Sequence, residues 1–385
     1  MRPNIRILVA PNAFKESLSA AEAARCMAEG IRRGLPGARI VELPIADGGD
    51  GTLEVAMQGT AGKICRARVN DPLGRPVNAS YGITGDGKTA ILEMSRASGL
   101  ALVPPARRNP MFTTSYGTGQ LILAALRRRV DSIILAIGGS ATVDGGLGAL
   151  QALGASLTDV RGRPVDLGGR GLQQLEFIEL GRLHPALSRT QLLVACDVDN
   201  PLVGPQGAAA VFGPQKGATP AMVRQLDKGL GRLARKIQGL KQLDVSNIPG
   251  AGAAGGIAGT FLGLLGARLR PGSELIFNLL KIDQLLPKVD LVITGEGRID
   301  FQTPSGKGPG SLAKMARKLG IPVIAIAGSV SNDRGVLHRH GFSALFSITP
   351  GPMDLTTAKS HSASLLQETA EQVARLIQAT RRLNL

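Results

Sequence analysis

Ile5-Arg6-Ile7-Leu8-Val9-Ala10-Pro11-Asn12-Ala13-Phe14-Lys15-Glu16-Ser17-Leu18-Ser19-Ala20-Ala21-Glu22 is the stretch from which the fold class is read. Ile5 to Ala10 is a short apolar run of strand length, and Pro11 to Ser17 is a loop. Ser19-Ala20-Ala21-Glu22 is a capping-box match, in which the Ser19 hydroxyl and the Glu22 carboxylate each serve the other's backbone N–H; it predicts an Ala-rich helix to about Arg33. A strand followed directly by a helix is the opening of a βα unit. Arg39 to Ile45 predicts a second strand and Gly51 to Gln58 another helix. The same grammar returns late in the chain, where Asp290 to Thr294, Pro322 to Ala327 and Ala344 to Ile348 read as strands and Thr356 to Arg382 as a helix. Both ends of the chain therefore belong to one α/β layer.

Between them the texture changes. Cys65 to Val69, Val77 to Ile83 and Thr89 to Met94 alternate and are separated by turns, which is the pattern of antiparallel strands. Ser132 to Ile137 and Gln191 to Ala195 read as buried strands, and Gly250 to Gly266 as a closely packed glycine- and alanine-rich helix. The expectation is a discontinuous parallel-sheet domain, residues 1–64 and 286–385, with an inserted mixed α/β domain at 65–285. No internal repeat is visible. At 385 residues two cores are expected, since single cores stop growing before that length.

Composition narrows the function. Cys26, Cys65 and Cys196 are too few and too scattered for a disulfide framework or a tetrahedral zinc site, and the four histidines lack ligand spacing. Met1 to Ala10 lacks the pattern of a secretory leader, and no apolar run reaches a membrane span, so a soluble cytoplasmic protein without a membrane partner is expected. The formal charge of +16 raises nucleic acid as a partner. Nine Phe, two Tyr and no Trp leave little for base stacking, and the cations come in small clusters such as Arg127-Arg128-Arg129, so solvated basic surface is the expected reading and nucleic acid is not.

Gly82-Ile83-Thr84-Gly85-Asp86-Gly87-Lys88-Thr89 satisfies the Walker A expression. A true P-loop follows a buried strand and opens a helix, because the helix N-terminus holds the phosphates. Here Thr89 to Met94 continues as a strand, so Asp86-Gly87 is read as a hairpin turn.

Negative charge is scarce overall yet gathers in glycine-containing loops after apolar runs: Asp47-Gly48-Gly49-Asp50-Gly51, Asp144-Gly145-Gly146, Asp197-Val198-Asp199-Asn200 and Glu296-Gly297-Arg298-Ile299-Asp300. The run Gly138-Gly139-Ser140-Ala141-Thr142-Val143-Asp144, after the Ser132 to Ile137 strand, lets backbone approach an anion while Ser140 and Thr142 add donors; a tight turn without a ligand is the other reading. Asp197 and Asp199 stand two residues apart beyond a strand. Two such carboxylates brought to about 4 Å repel by roughly 4 kcal/mol at intermediate dielectric. A divalent cation offsets that, and magnesium is the natural oxygen-bound candidate; loop acceptors without a metal are the alternative. Lys15 and Lys216, each in a loop rich in glycine, proline or small residues, suit phosphate or carboxylate, although exposed turn lysines are common.

Ala10 to Leu18, Ala46 to Thr52, Ile137 to Gly146, Cys196 to Leu202, Phe212-Gly213-Pro214-Gln215-Lys216-Gly217-Ala218 and Thr294 to Asp300 together resemble, in order, the motifs of the bacterial type I glycerate kinases, the glycerate 2-kinase family. The resemblance runs from about Ile5 to Thr380. It implies a flavodoxin-like or Rossmann-like outer domain with an inserted α/β domain and a cleft between them. It also implies ATP-dependent phosphorylation of D-glycerate to 2-phosphoglycerate in glycerate, glyoxylate or sugar-acid catabolism, with ATP and Mg2+ as cofactors. Under it, Asp197 is the expected hydroxyl-orienting base, with Lys216 and Lys15 neutralising phosphate or the glycerate carboxylate. Ser17, Asp47, Arg298 and Asp300 are the expected substrate-binding residues, and Asp50, Asp199 and Glu296 the expected metal ligands. Gly138, Gly139, Ser140, Thr142 and Asp144 are the expected nucleotide-phosphate cradle. Another hydroxy acid, or 3-phosphoglycerate as product, stays open, as do monomer and homodimer. A dehydrogenase is disfavoured because no G-x-G-x-x-G follows the first strand. A polyanion-binding protein without activity explains the charge but not the carboxylate loops.

Overall fold

The structure, a computed structural model, describes residues 4–300, 303, 308–332 and 334–382. Residues 1–3 and 383–385 of the expected outer domain lie outside the described residues. The chain forms two compact units, a terminal one of residues 1–47 with 273–385 and a middle one of residues 48–272.

In the terminal unit, five strands lie in the order Ala344–Ser347, Val323–Ala327, Leu291–Thr294, Arg6–Val9, Arg39–Glu42, and every pairing is parallel. Numbered along the chain this is 2-1-3-4-5, the flavodoxin-like order and not the Rossmann order. The direction of winding reverses between Arg6–Val9 and Leu291–Thr294, where Ile7 pairs with Leu291 and Val9 with Ile293. Ile7–Val9 and Leu291–Ile293 are apolar and buried because both faces of the sheet are covered there, while Arg6 at the strand start is exposed. Helix Ala20–Gly34 opens with the expected capping box: Ser19 Oγ accepts from Glu22 N–H at 3.2 Å and Glu22 Oε2 accepts from Ser19 N–H at 2.9 Å. It packs backbone to backbone against the last helix, Ser362–Arg382. A Cβ on Gly30 would stand 2.1 Å from the Gln367 carbonyl oxygen, and one on Gly34 2.5 Å from that of Glu371. The expected continuous helix from Thr356 is broken into Leu355–Ser360 and Ser362–Arg382 with His361 between them. Ser362 at the break is 4% exposed and shares a 2.7 Å hydrogen bond with Ser17.

The middle unit carries six strands in the order Arg268–Arg270, Gln191–Ala195, Ser132–Ala136, Thr89–Glu93, Pro76–Ile83, Lys63–Asn70. The first four run parallel and the last two antiparallel to their neighbours. Thr89–Glu93 is thus antiparallel on one side and parallel on the other, which the alternation alone did not reveal. Residues 84–88 form the hairpin turn between Pro76–Ile83 and Thr89–Glu93, with Asp86 accepting from Thr84 Oγ1 and Lys88 N–H. The P-loop match is therefore a turn. Helix Thr52–Gly59 belongs here, not with the terminal unit as a boundary at residue 64 would have it. Leu53 N–H donates to Glu93 Oε1 at 3.0 Å, and a Cβ on Gly82 would meet Met57 Sδ at 2.4 Å. The unit boundaries consequently fall after residues 47 and 272, and Asp50 passes to the middle unit. The Gly250 to Gly266 stretch is a short 3-10 turn, Ala253–Gly256, leading into helix Ile257–Leu265.

Candidate active site

In open α/β sheets ligands bind beyond the carboxyl ends of the strands, at the reversal of strand order. The terminal unit puts two of the sequence-singled loops there. Phe14 and Leu18 close the loop after Arg6–Val9 by exchanging backbone hydrogen bonds, and Asn12 N–H bonds the Gly295 carbonyl at 2.8 Å. Asn12 Nδ2 donates to Asp47 Oδ2 at 3.0 Å, which orients that carboxylate. The loop after Leu291–Thr294 runs so close to the next strand that a Cβ on Gly295 would sit 1.8 Å from the Ile326 carbonyl oxygen. Glu296 and Asp300 are nearly buried, at 9% and 8% exposure, and are tied through Thr303, whose Oγ1 donates to Glu296 Oε1 and accepts from Asp300 N–H, both at 3.1 Å. Arg298 is mostly exposed and pairs with Asp300 at 3.2 Å. Lys15 is exposed on the neighbouring loop, beside Gly297. Ser17 is bonded to Ser362 and faces the last helix.

The middle unit gathers a second set at the ends of its parallel strands. Gly48 lies against Ala195 and Gly272, with Asp197 Oδ2 3.8 Å from where a Gly48 Cβ would stand. Asp197 Oδ1 accepts from Gly272 N–H at 2.9 Å. A Cβ on Gly138 would stand 3.6 Å from the Gly48 carbonyl, and one on Gly139 3.3 Å from Ser95 Cβ and 4.0 Å from Asp50 Oδ1. Asp50 Oδ1 accepts from Ser95 Oγ at 3.5 Å. Asp50, Asp197, Asp199, Gly138 and Gly139 are all exposed. Asn200 Nδ2 anchors the Asp197 to Asn200 loop to the Gln206 carbonyl at 2.8 Å, and Cys196, its thiol pKa raised by burial, faces the Val198 and Gly250 carbonyls.

The Gly138 to Gly146 loop is the most constrained part of the unit. Its carbonyls are taken up: Leu100 N–H bonds Gly139 O, Thr113 Oγ1 bonds Ala141 O, and Lys216 Nζ bonds Thr142 O at 2.7 Å. The N–H groups of Gly138, Gly139 and Ser140 have no hydrogen-bond partner among the described residues. With Gly139 at φ 69° they form the kind of concave backbone surface that receives anions. The sequence suggests Thr142 and Asp144 as part of this cradle and Lys216 as a neutraliser of phosphate or the glycerate carboxylate. In the structure all three side chains are buried inside the unit. Asp144 is fully buried and accepts from Ser115 N–H and Oγ at 2.8 Å and Gly146 N–H at 3.0 Å; burial pushes its pKa up against these bonds. Thr142 is 0% exposed, its hydroxyl without a partner among the described residues. Lys216, 2% exposed, also bonds Ser140 Oγ at 2.8 Å; burial lowers its pKa to about 7, opposed by attraction to Asp144. It is an internal strut of the loop. Its amino group, bonded to two loop oxygens, holds the shape of the loop.

Residues not singled out from sequence complete the picture. Asn12 and Thr303 orient the carboxylates of the terminal unit. Glu93, its pKa raised by burial despite bonds from Leu53 N–H and Arg96, caps helix Thr52–Gly59, and Arg96 also pairs with Glu54. The missed signal for Ser95 and Glu93 was the parallel partner of their strand, which carries its end to the same edge as Gly138 and Asp197. No group of three or more His, Cys, Asp or Glu positioned to hold a metal occurs among the described residues. No helix among them is long and apolar enough to cross a membrane.

The Glycerate kinase family profile matches residues 7–378. The chain belongs to the glycerate kinase family. It is 49% identical over 344 residues to the glycerate 2-kinase of Escherichia coli K12, covering 89% of this chain and 90% of that one. It is 47% identical over 368 residues to a glycerate kinase of Halalkalibacterium halodurans, covering 96% and 97%. A crystal structure assigned to glycerate kinase 2 of Salmonella typhimurium LT2 superposes with a TM-score of 0.90 at 46% identity, over 98% of this chain and 100% of that one.

Proposed function

We propose that this member of the glycerate kinase family transfers the terminal phosphoryl group of ATP to D-glycerate, with 2-phosphoglycerate as the product. The observation that carries the reading at the level of residues is the trio of unpartnered N–H groups at Gly138, Gly139 and Ser140, placed at the same strand ends as the exposed carboxylates of Asp50 and Asp197. Phosphoryl transfer asks a protein for little covalent chemistry. It must hold the phosphate oxygens, neutralise their charge and orient the attacking hydroxyl. Backbone amides in a glycine turn serve the first need. Asp197 serves the last: its Oδ1 accepts from Gly272 N–H, which sets the direction of the carboxylate that takes the glycerate hydroxyl proton. Exposed Lys15 supplies positive charge for phosphate or the glycerate carboxylate. Arg298, already beside Asp300, offers a planar fork for that carboxylate, with Asp47 and Asp300 as hydroxyl acceptors. Ser17 keeps a structural place through Ser362.

Magnesium bound with nucleotides keeps several waters and takes one or two protein carboxylates, not a closed protein cage. Exposed Asp50 and Asp199 fit that donor set, and the absence of a three-carboxylate cluster among the described residues is compatible with it. Glu296, committed to Thr303, fits it less well. The ion's contribution when bound would be charge neutralisation on the phosphate oxygens.

The test is ADP release across glycerate, glycolate, lactate and sugar acids with and without Mg2+, the product passed directly to enolase without a mutase. Immediate coupling identifies 2-phosphoglycerate, and a requirement for mutase points to 3-phosphoglycerate. Asp197→Asn is expected to lower kcat by about two orders of magnitude or more with little change in KM. Wild-type turnover in that variant would remove Asp197 from the base role.

A further inference from the structure

Away from these loops, the middle unit has a cavity of about 570 Å³ between its edge strand Lys63–Asn70 and helix Tyr116–Leu126. Arg66, Arg68, Arg127 and Arg128 line it, and no carboxylate does. Elsewhere the chain pairs its arginines readily: Arg32 with Glu42, Arg75 with Asp71, Arg163 with Asp159 and Arg375 with Glu371. Here Arg66, Arg68 and Arg127 have no ion-pair partner among the described residues, and Arg128 Nε donates to the Tyr81 hydroxyl at 3.3 Å. Gln120, also in the lining, has its carbonyl oxygen occupied by Asn70 N–H at 2.7 Å, which leaves its NH2 group as a donor. The charged and amide side chains facing the cavity are thus cationic or donors, and the Tyr116 hydroxyl can serve the same way, while the Tyr81 hydroxyl donates to the Ala124 carbonyl at 3.5 Å. Like charges gathered around one concave space repel unless an anion enters, and guanidinium forks match phosphoryl oxygens two at a time. A volume of this order suits a small molecule.

The cavity also has a physical connection to the phosphate loop. The helix that walls it begins after Ser115, and Ser115 N–H and Oγ are two of the groups that hold buried Asp144, the residue that closes the Gly138 to Gly146 turn. Ser115 Oγ in addition accepts from Ala149 N–H at 3.0 Å. These contacts give a change in the seating of the helix a direct route to the loop.

We propose that this arginine-lined cavity is a regulatory anion site, separate from the phosphate loop, that takes a small phosphate carrying at least one further negative charge. The site needs no particular acceptor for the kinase reaction, so its failure and the failure of the glycerate reading are distinguishable: direct binding reports on the first and product identification on the second. The chemistry could be supplied by the phosphorylated carboxylate product or by a free inorganic anion such as pyrophosphate, and both are used as probes.

The experiment is isothermal calorimetry of the full chain with pyrophosphate, and separately with 2-phosphoglycerate, on wild type and on the Arg66→Ser, Arg68→Ser, Arg127→Ser triple variant. These arginines are surface-exposed, and thermal unfolding checks that the variant folds. Wild type is expected to bind pyrophosphate at a site that the variant loses or binds at least tenfold more weakly, while the variant's kcat without added anion is unchanged. At saturating pyrophosphate the KM for ATP is expected to shift at least twofold in wild type beyond any shift in the variant. Dependence of 2-phosphoglycerate binding on the same arginines would make the product an effector; its absence with pyrophosphate binding intact would assign the site to inorganic anions. Identical isotherms for wild type and variant with both probes overturn the site. Arginine-dependent binding without the kinetic difference overturns its regulatory role. Arginine-dependent retention of DNA or heparin, with neither small anion bound, would replace the proposal with a polyanion surface.

Discussion

Lys216 shows how far a residue's role depends on what surrounds it. In sequence it is a lysine in a glycine and proline turn; in the structure it is buried and bonded to Ser140 Oγ and Thr142 O. Its pKa falls from 10.5 in the unfolded chain to about 7, chiefly by desolvation. Between those values the unfolded chain binds the extra proton, so the stability attributable to Lys216 rises with pH from about 7 to about 10 and is at its lowest, constant level below 7. The urea midpoint of wild type relative to Lys216→Met should therefore move in favour of wild type across that range, and a difference that does not vary with pH would refute the lowering of the Lys216 pKa by burial. Asp144 faces the opposite linkage. Its raised pKa means that stability present below the ordinary carboxylate range is lost as pH rises through the folded value. Asp144→Ala should destabilise by a few kcal/mol, because Ser115 and Gly146 are then left with unmet buried donors. None of this was legible in the sequence: Asp144, Thr142 and Lys216 looked like ligand groups because burial is not a property of a motif.

At the scale of elements, the sequence was read most successfully where local chemistry decides. The capping box at Ser19 and Glu22 starts its helix where expected, since both hydrogen bonds are made within one turn. Ser19→Ala should lower the unfolding free energy by about 1 kcal/mol, checked by denaturant titration. The Asp86-Gly87 turn was likewise recognisable despite its resemblance to a P-loop, because strand alternation resumes at Thr89. Helix Ala20–Gly34 shows the limit. Its composition predicts a helix, but only the partner explains Gly30 and Gly34, which sit against the backbone of Ser362–Arg382. Gly30→Ala needs that helix to shift, and a loss of soluble protein or a stability drop well above the roughly 1 kcal/mol propensity gain is expected from thermal unfolding. The parallel side of Thr89–Glu93 was hidden for a related reason: alternation describes one strand, whereas direction relative to Ser132–Ala136 depends on the whole crossover between them.

For the whole molecule, the +16 charge and the family's anionic substrates meet in one measurable quantity. If the basic surface steers substrate, kcat/KM for glycerate should fall several-fold between about 20 and about 500 mM salt while kcat holds, as the screening length contracts below about 10 Å. A kcat/KM that ignores salt would confine the charge to solubility. Alternating βα grammar at both ends and the ordered set of six motifs were enough to determine from sequence an α/β chain with a discontinuous sheet domain and its membership of the glycerate kinase family, because strand and helix periods, caps and glycine turns are local. The tertiary structure decided the rest: the 2-1-3-4-5 strand order, the transfer of Gly48 to Gly59 to the middle unit, and the division of the carboxylate loops into exposed groups at Asp50, Asp197 and Asp199 and a buried brace at Asp144. Those outcomes depend on which surfaces meet and what each side chain loses from water, and such contacts join residues far apart in the chain.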